Sequence, residues 1–436
     1  MMLVSVLIAI LSVIAFILCI LFQVEVPRGK VISVKLYPFV PLFGGLTMLM
    51  FGAIKPEDLA KSFLENSSVN PIKILVLFLS MTIFSLILDR TGFFRYISGV
   101  VLKKAGHRQT TVFLSLYSVI SLLTVFTSND IVILTFTPFI CYFCKAAKVQ
   151  PIPYLMMEFV AANTWSLFLL IGNPTNIYLA TAGGIGFLEY FLQMILPTLA
   201  AGLVSLFVLF LIFRKKLKKP ITALPASNLR IADKGLLVLG LLHLGGCTVL
   251  VASASFFDLP MWLICLCFAL SLFVTTGIYC LIRRKKPLEA LHTFFRVPWQ
   301  LAPFMLSMFV LILTLQRYGI TDKVTDFLGM GGSVFLYGIA AYLACNIINN
   351  IPMSVFFSAV LIPLTGVANT GATYAVIAAS NLGAIFTPVG ALAGIMWMSI
   401  LREKNIKFTF ADFTKYGVIV SLPALLAALF TLQFTI

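Results

Sequence analysis

Charge is scarce in this chain. Only 11% of its 436 residues are Asp, Glu, Lys or Arg, and the acidic ones are rarest, 15 Asp+Glu against 31 Lys+Arg. An ordinary soluble domain is roughly 25% charged and about half apolar. Here 61% of residues are hydrophobic and the mean hydropathy is +1.06. That balance excludes a soluble multidomain enzyme. The sequence also lacks HExxH, GxSxG, GxGxxG and P-loop patterns, so it signals no zinc peptidase, serine hydrolase, dinucleotide fold or phosphate-cradling loop. No enzymatic activity and no cofactor are expected. An ATP-driven pump would need a soluble nucleotide domain, which is absent here; energy must come from an ion gradient or from a partner ATPase. Alternating segments of ~10 residues, the mark of a transmembrane β-barrel, are missing as well.

What the chain has is a series of apolar runs, at about 2–22, 36–54, 72–90, 110–144, 154–182, 187–213, 235–253, 259–282, 298–316, 333–365, 371–400 and 416–434. Runs of ~20 apolar residues span a bilayer as helices. The first lacks a basic leader and a clear cleavage site, so it is read as a retained helix. The eight cysteines, Cys19, Cys141, Cys144, Cys247, Cys265, Cys267, Cys280 and Cys345, lie in or beside these runs and do not read as a secreted disulfide framework. Cys141 and Cys144 form a CxxC, a spacing that could hold a soft metal or metalloid; two small apolar residues on a helical arm is the reading preferred here. His243 is read as a packed histidine.

Four runs are interrupted by polar residues. Run 110–144 carries Ser128-Asn129-Asp130 and run 333–365 carries Asn349-Asn350-Ile351-Pro352. Run 154–182 breaks at Gly172-Asn173-Pro174-Thr175-Asn176, and run 371–400 breaks around Ser380-Asn381 and Thr387-Pro388. The interruptions are paired: Asn129 and Asn350 stand 221 positions apart, Pro174 and Pro388 stand 214 apart. This predicts two repeats, 1–213 and 235–436, joined by a basic linker at 214–234. Each would contain a re-entrant hairpin (about 110–144 and 333–365) and a broken helix (about 154–182 and 371–400), the signature of a transporter with its site at the interruptions.

Basic residues set the orientation. If both hairpins return to the side they came from, 25 of the 31 Lys and Arg fall in loops 23–35, 91–109, 145–153, 214–234, 283–297 and 401–415. Those loops are then cytoplasmic. The arrangement has ten crossings, two halves of opposite topology and both termini outside, as expected of a bacterial-type inner-membrane protein. The positive charge therefore faces lipid and cytoplasm, and no nucleic-acid partner is expected.

Irregular backbone at membrane depth is tolerated only where it is buried or lines a cavity. The two tips and two breaks should meet, exposing helix ends that favour anions at N-termini and cations at C-termini. Asn129, Thr175, Asn176, Asn349, Asn350, Ser380, Asn381 and Thr387 are the expected substrate ligands. Asp130, Ser128, Asn129 and Asn173 are the expected coupling-ion ligands, with Na+ near Asp130 or H+ on it. An intramembrane carboxylate is costly and by default functional; capping the next helical arm is the alternative role for Asp130. Glu158 is expected nearer the cytoplasmic mouth as a relay or gate, or an interfacial acid, and Asn163 as a pathway residue. The span interiors contain no Lys or Arg, which suits a neutral solute, or an anion held by helix ends and a bound cation.

At these residues the chain resembles the ion transporter superfamily. Ser128-Asn129-Asp130 through Pro138 is similar to its first hairpin, and Gly172-Asn173-Pro174-Thr175-Asn176-Ile177 to its first broken helix. Asn349-Asn350-Ile351-Pro352 and the stretch from Asn381 to Gly390 are similar to second-half counterparts in arsenite permeases. Divalent-anion/sodium symporters typically carry Ser-Asn-Thr at both tips; here Asp130 stands at the third place and the second tip reads Asn349-Asn350. The resemblance implies efflux of arsenite or antimonite against protons, in a homodimer as in relatives. Na+- or H+-coupled dicarboxylate or other anion uptake, Na+/H+ antiport and a passive channel are the alternatives.

Overall fold

The structure is a computed structural model that describes residues 1–22, 25–28, 32–65, 70–106, 108–221, 231–253, 259–283, 297, 299 and 301–436. It is helical almost throughout. In the first half α1 (Met2–Leu21), α2 (Val40–Met50), α3 (Pro56–Leu64), α4 (Pro71–Arg90) and α5 (Phe93–Ala105) lead to a hairpin of α6 (Gln109–Phe126) and α7 (Asn129–Ala146). α8 (Ile152–Trp165) and α9 (Pro174–Ala182) follow, separated by a short 3-10 turn, and then α10 (Phe187–Leu217). The second half repeats this succession: α11 (Lys234–Ser253), α12 (Met261–Ile282), α13 (Leu301–Arg317) and α14 (Ile320–Leu328) lead to a hairpin of α15 (Val334–Ile348) and α16 (Asn350–Leu361). α17 (Gly366–Leu382) and α18 (Leu392–Glu403) flank two 3-10 turns, and α19 (Phe410–Thr435) ends the chain. One departure from the helical expectation is an antiparallel ribbon of β1 (Glu25–Arg28) and β2 (Ile32–Lys35), with Val26 opposite Val34. β-branched residues at these positions suit a strand better than a helix.

Local chemistry sets the helix ends. Asn70 accepts from the N–H groups of Ile72 and Lys73, with Pro71 at the first helical position, a placement that loses no hydrogen bond. Thr409 and Asp412 form a capping box at the start of α19. The turns between α4 and α5 and between α13 and α14 both need a positive φ, met by Gly92 (75°) and Gly319 (67°). Each of the two long closing helices carries an internal proline, Pro197 in α10 and Pro423 in α19.

Burial is inverted relative to a soluble protein. Leu3, Leu203, Phe207, Val249 and Val274 are exposed on the outer helices, whereas Asn163, Asn176, Asn349, Ser380 and Asn381 are completely enclosed. Apolar side chains face where lipid would lie, and the polar ones converge inside. Among the described residues seven helices are long and apolar enough to cross a membrane, with the pair α13/α14, bent by 74°, as an eighth. The sequence expectation counts α6 as a hairpin arm and adds α2 and the two broken helices. None of those pieces alone reaches the ~20 residues of a plain crossing.

Loops expected on one side do lie together. Thr91 accepts from the Ala232 N–H at 2.9 Å, Arg108 bridges to Pro220, and the Thr110 hydroxyl donates to the Leu217 carbonyl. Arg317 and Asp58, from loops assigned to the other side, form an ion pair. Helix α10 continues to Leu217, past the expected boundary at 213. Residues 222–230 of the linker and 284–296 of the next basic loop lie outside the described residues.

Candidate substrate and ion site

The halves interlock through their interruptions. Arm α7 packs against α18 of the other half, and arm α16 packs against α9. Each half also ties its first hairpin arm to its last helix through a tyrosine: Tyr117 OH donates to the Gly202 carbonyl and meets Ser205 Oγ at 3.2 Å, while Tyr342 OH meets Ser421 Oγ at 2.6 Å.

Asn381 lies at the centre. Its Oδ1 accepts from Ser166 Oγ (2.7 Å) and Asn173 Nδ2 (2.8 Å), and its Nδ2 donates to Asn176 Oδ1 (2.6 Å) and the Ile377 carbonyl (3.0 Å). Asn176 Nδ2 in turn donates to the Ser166 carbonyl, and Thr175 Oγ1 meets Ser380 Oγ at 2.9 Å. Asn173 Oδ1 accepts the Thr175 N–H and so caps α9. Five residues expected as substrate or ion ligands therefore satisfy one another across the two breaks. Buried amides without partners are costly, and this network removes that cost.

Two residues in the network were not singled out from the sequence. Ser166 carries the same 214-residue offset to Ser380 that relates Pro174 to Pro388, a signal that was available. Asn346 was hidden inside a continuous apolar arm. Its Oδ1 accepts from the Thr387 hydroxyl (2.7 Å) and N–H (3.0 Å), and its Nδ2 donates to the Gly383 carbonyl (3.1 Å). Thr387 is thus held in the second break by Asn346. Cys345, beside it, points its thiol at the Gly390 carbonyl, 3.2 Å away.

The tips are less satisfied. Asn129 Nδ2 donates to Asn163 Oδ1 at 3.1 Å, but the buried Asn129 Oδ1 has no hydrogen-bond partner among the described residues. Asp130 follows in the first turn of α7 and is partly buried. Among the described residues its carboxylate makes no hydrogen bond and no ion pair, and Tyr37 lies within its electrostatic reach. Ser128, the residue before the helix, makes no side-chain cap. At the second tip Asn349 holds a backbone of φ 74° and ψ 155°, a region that costs a non-glycine residue about 1–3 kcal/mol. Its Nδ2 donates to the Val389 carbonyl at 2.8 Å. Asn350 is buried beside it and shows no side-chain hydrogen bond among the described residues.

Glu158 is completely enclosed rather than interfacial. Thr137 Oγ1 donates to its carboxylate at 3.0 Å and Trp397 Nε1 at 3.2 Å, so it joins α7, α8 and α18. Trp397 is itself fixed by ring contacts with Phe159, Phe408 and Phe413. His243 is bonded to the Leu239 carbonyl and Ser271 between α11 and α12, as a packed histidine.

Comparison with known proteins agrees with this architecture. The model of the citrate transporter family matches residues 17–378. The chain belongs to that family. It is 27% identical over 435 residues to the arsenical pump membrane protein of Escherichia coli strain K12, covering 95% of this chain and 96% of that one. It is 27% identical over 375 residues to the arsenical pump membrane protein of Yersinia enterocolitica, covering 81% and 84%. The crystal structure of the Alcanivorax borkumensis YdaH transporter superposes with a TM-score of 0.59 over 99% of this chain and 97% of that one, at 13% identity. The family member described here is accordingly a multi-pass membrane transporter with the YdaH-like fold.

Proposed function

We propose that this transporter exports a small, largely neutral metalloid oxyacid of the arsenite or antimonite type, driven by an ion gradient coupled through Asp130. The observation that carries the reading is the first tip. There a carboxylate with no hydrogen bond or ion pair among the described residues adjoins a buried amide oxygen with no donor, in a core whose buried polar groups are, Glu158 apart, neutral. An unpartnered buried acceptor costs about 1–3 kcal/mol, and a hydroxyl of the cargo or a cation removes that cost. A proton or Na+ on Asp130 does the same for its charge. Two tips offer ligands, and the Asn381 network holds the breaks rigid behind them. The arsenical pump relatives support the metalloid cargo.

Glu158 serves as the relay or gate in this reading, since its carboxylate joins the first hairpin to the second broken helix. Access alternates as the interlocked core moves against the outer helices. The basic loops face the cytoplasm of a bacterial-type inner membrane and both termini lie outside. The protein works as a homodimer without a resident cofactor. The family match to citrate transporters favours a second reading, ion-coupled uptake of a carboxylate or other anion.

Arsenite accumulation in arsenite-sensitive cells tests the assignment, with wild type and Asp130→Asn both confirmed in the membrane. Lower accumulation with wild type alone is expected. Equal accumulation in both, together with Na+-dependent citrate uptake, would replace export by the second reading. Loss of export on adding a protonophore, with ATP maintained, separates gradient coupling from a partner ATPase.

A further inference from the structure

Away from the tips, a cavity of about 390 Å³ opens where loop 145–153 meets loop 401–415. Pro138, Cys141, Cys144, Lys145, Lys404 and Ile406 line it. Both loops belong to the basic set read as cytoplasmic. The two cysteines stand at i and i+3 on α7, where side chains share one face with Cβ atoms ~5–6 Å apart. Both are free thiols. Cys141 lies within electrostatic reach of Lys404 and of Glu158, the buried carboxylate that links the halves. Packing alone explains two cysteines on a helix; it does not explain why both line one chamber together with two lysines.

We infer that Cys141 and Cys144 form a cytoplasmic dithiol site that captures a trivalent metalloid oxyacid before transport. The inference rests on the export reading above. Soft thiol sulfur suits a soft trivalent centre. The step is a condensation without redox change: two As–O bonds of arsenious acid break, two As–S bonds form, and each thiol proton leaves with a hydroxide as water. Arsenic keeps one hydroxyl, for which Lys145 and Lys404 supply N–H donors. Reversal by water releases the cargo toward the core.

The test uses the full-length protein in detergent and in vesicles, with sodium arsenite as the probe. Alkylation by iodoacetamide is followed cysteine by cysteine by mass spectrometry. Arsenite should slow labelling of Cys141 and Cys144 at least tenfold and leave Cys19 and Cys267 unaffected. In everted vesicles Cys141→Ser/Cys144→Ser should raise the half-saturating arsenite concentration several-fold at an unchanged maximal rate. Export by wild type without protection of the pair overturns the dithiol site and leaves the export reading standing. Protection without any export supports the dithiol site and removes the export reading. An unchanged half-saturating concentration in the double variant overturns the capture role.

Discussion

Asn381 donates to Asn176 at 2.6 Å, and that bond joins the broken helices of the two halves. The partners stand 205 residues apart in sequence, yet each needs the other to satisfy an amide sealed from solvent. Asn381→Ala leaves Asn173, Asn176 and Ser166 short of partners, at about 1–3 kcal/mol for each buried group stranded. Thermal unfolding in detergent should show a fall in midpoint of several degrees, with transport lost. Asn176→Ala combined with Asn381→Ala should cost clearly less than the two single losses added together, because the residues share one network. Additive losses would mean that they act separately.

Asp130→Asn should fold and insert normally, because the carboxylate has no hydrogen bond or ion pair among the described residues to lose. Gradient-driven flux should fall at least a hundredfold. Counterflow of labelled cargo, which needs no gradient, should persist in the variant. Normal gradient-driven flux would remove Asp130 from coupling.

Glu158 offers a sharper contrast between two substitutions. Glu158→Ala deprives Trp397 of its acceptor, a loss of about 1–3 kcal/mol for the stranded donor, while the Thr137 hydroxyl keeps the Ile133 carbonyl at 2.6 Å; the variant should express less. Glu158→Gln keeps an acceptor oxygen and should preserve the fold. If Glu158 relays protons, transport by the Gln variant becomes independent of pH between 6 and 8 (roughly the working range). A pH profile identical to wild type would leave Glu158 a purely structural bridge.

Gly172 sits where an added Cβ would strike the Ser166 carbonyl, and at Gly390 it would come within 2.8 Å of the Gly383 carbonyl. Gly172→Ala should therefore force the first break open and abolish transport. The same change at Gly184, where a Cβ meets nothing within 4 Å but φ is +71°, should cost only about 1 kcal/mol. Equal transport by both variants would show that the close approach in the break is not required.

Asn349 tests the strained tip. Asn349→Gly relieves the backbone but loses the bond to the Val389 carbonyl; Asn349→Val keeps neither. The Gly variant should express near wild-type level and transport slowly, while the Val variant should fail to accumulate.

Much of this molecule was legible in one dimension. Apolar runs gave the helices, since a backbone in lipid must satisfy itself locally. Asn-Pro and Asn-Asn interruptions gave the hairpins and breaks, and their matched spacing gave the repeat. Residues 371–400 fall in α17, two 3-10 turns and α18, and residues 110–144 in α6 and α7. The pairing of Glu25–Arg28 with Ile32–Lys35 was not foreseen because short β pairing leaves little period in so brief a segment. What the sequence could not say was which polar groups face one another. Asn173, Asn176, Ser380 and Asn381 all read as ligands, because an intramembrane amide looks the same whether it binds cargo or another amide. Only the folded contact between the halves shows that these four are satisfied internally, while among the described residues Asn129 and Asp130 are left with unmet capacity. The same holds for Glu158 and for the Cys141–Cys144 pair. Trp397 beside Glu158 and the lining residues Lys404 and Ile406 come from the other half of the chain, and packing decides whether a side chain is sealed, bridged or open to a cavity.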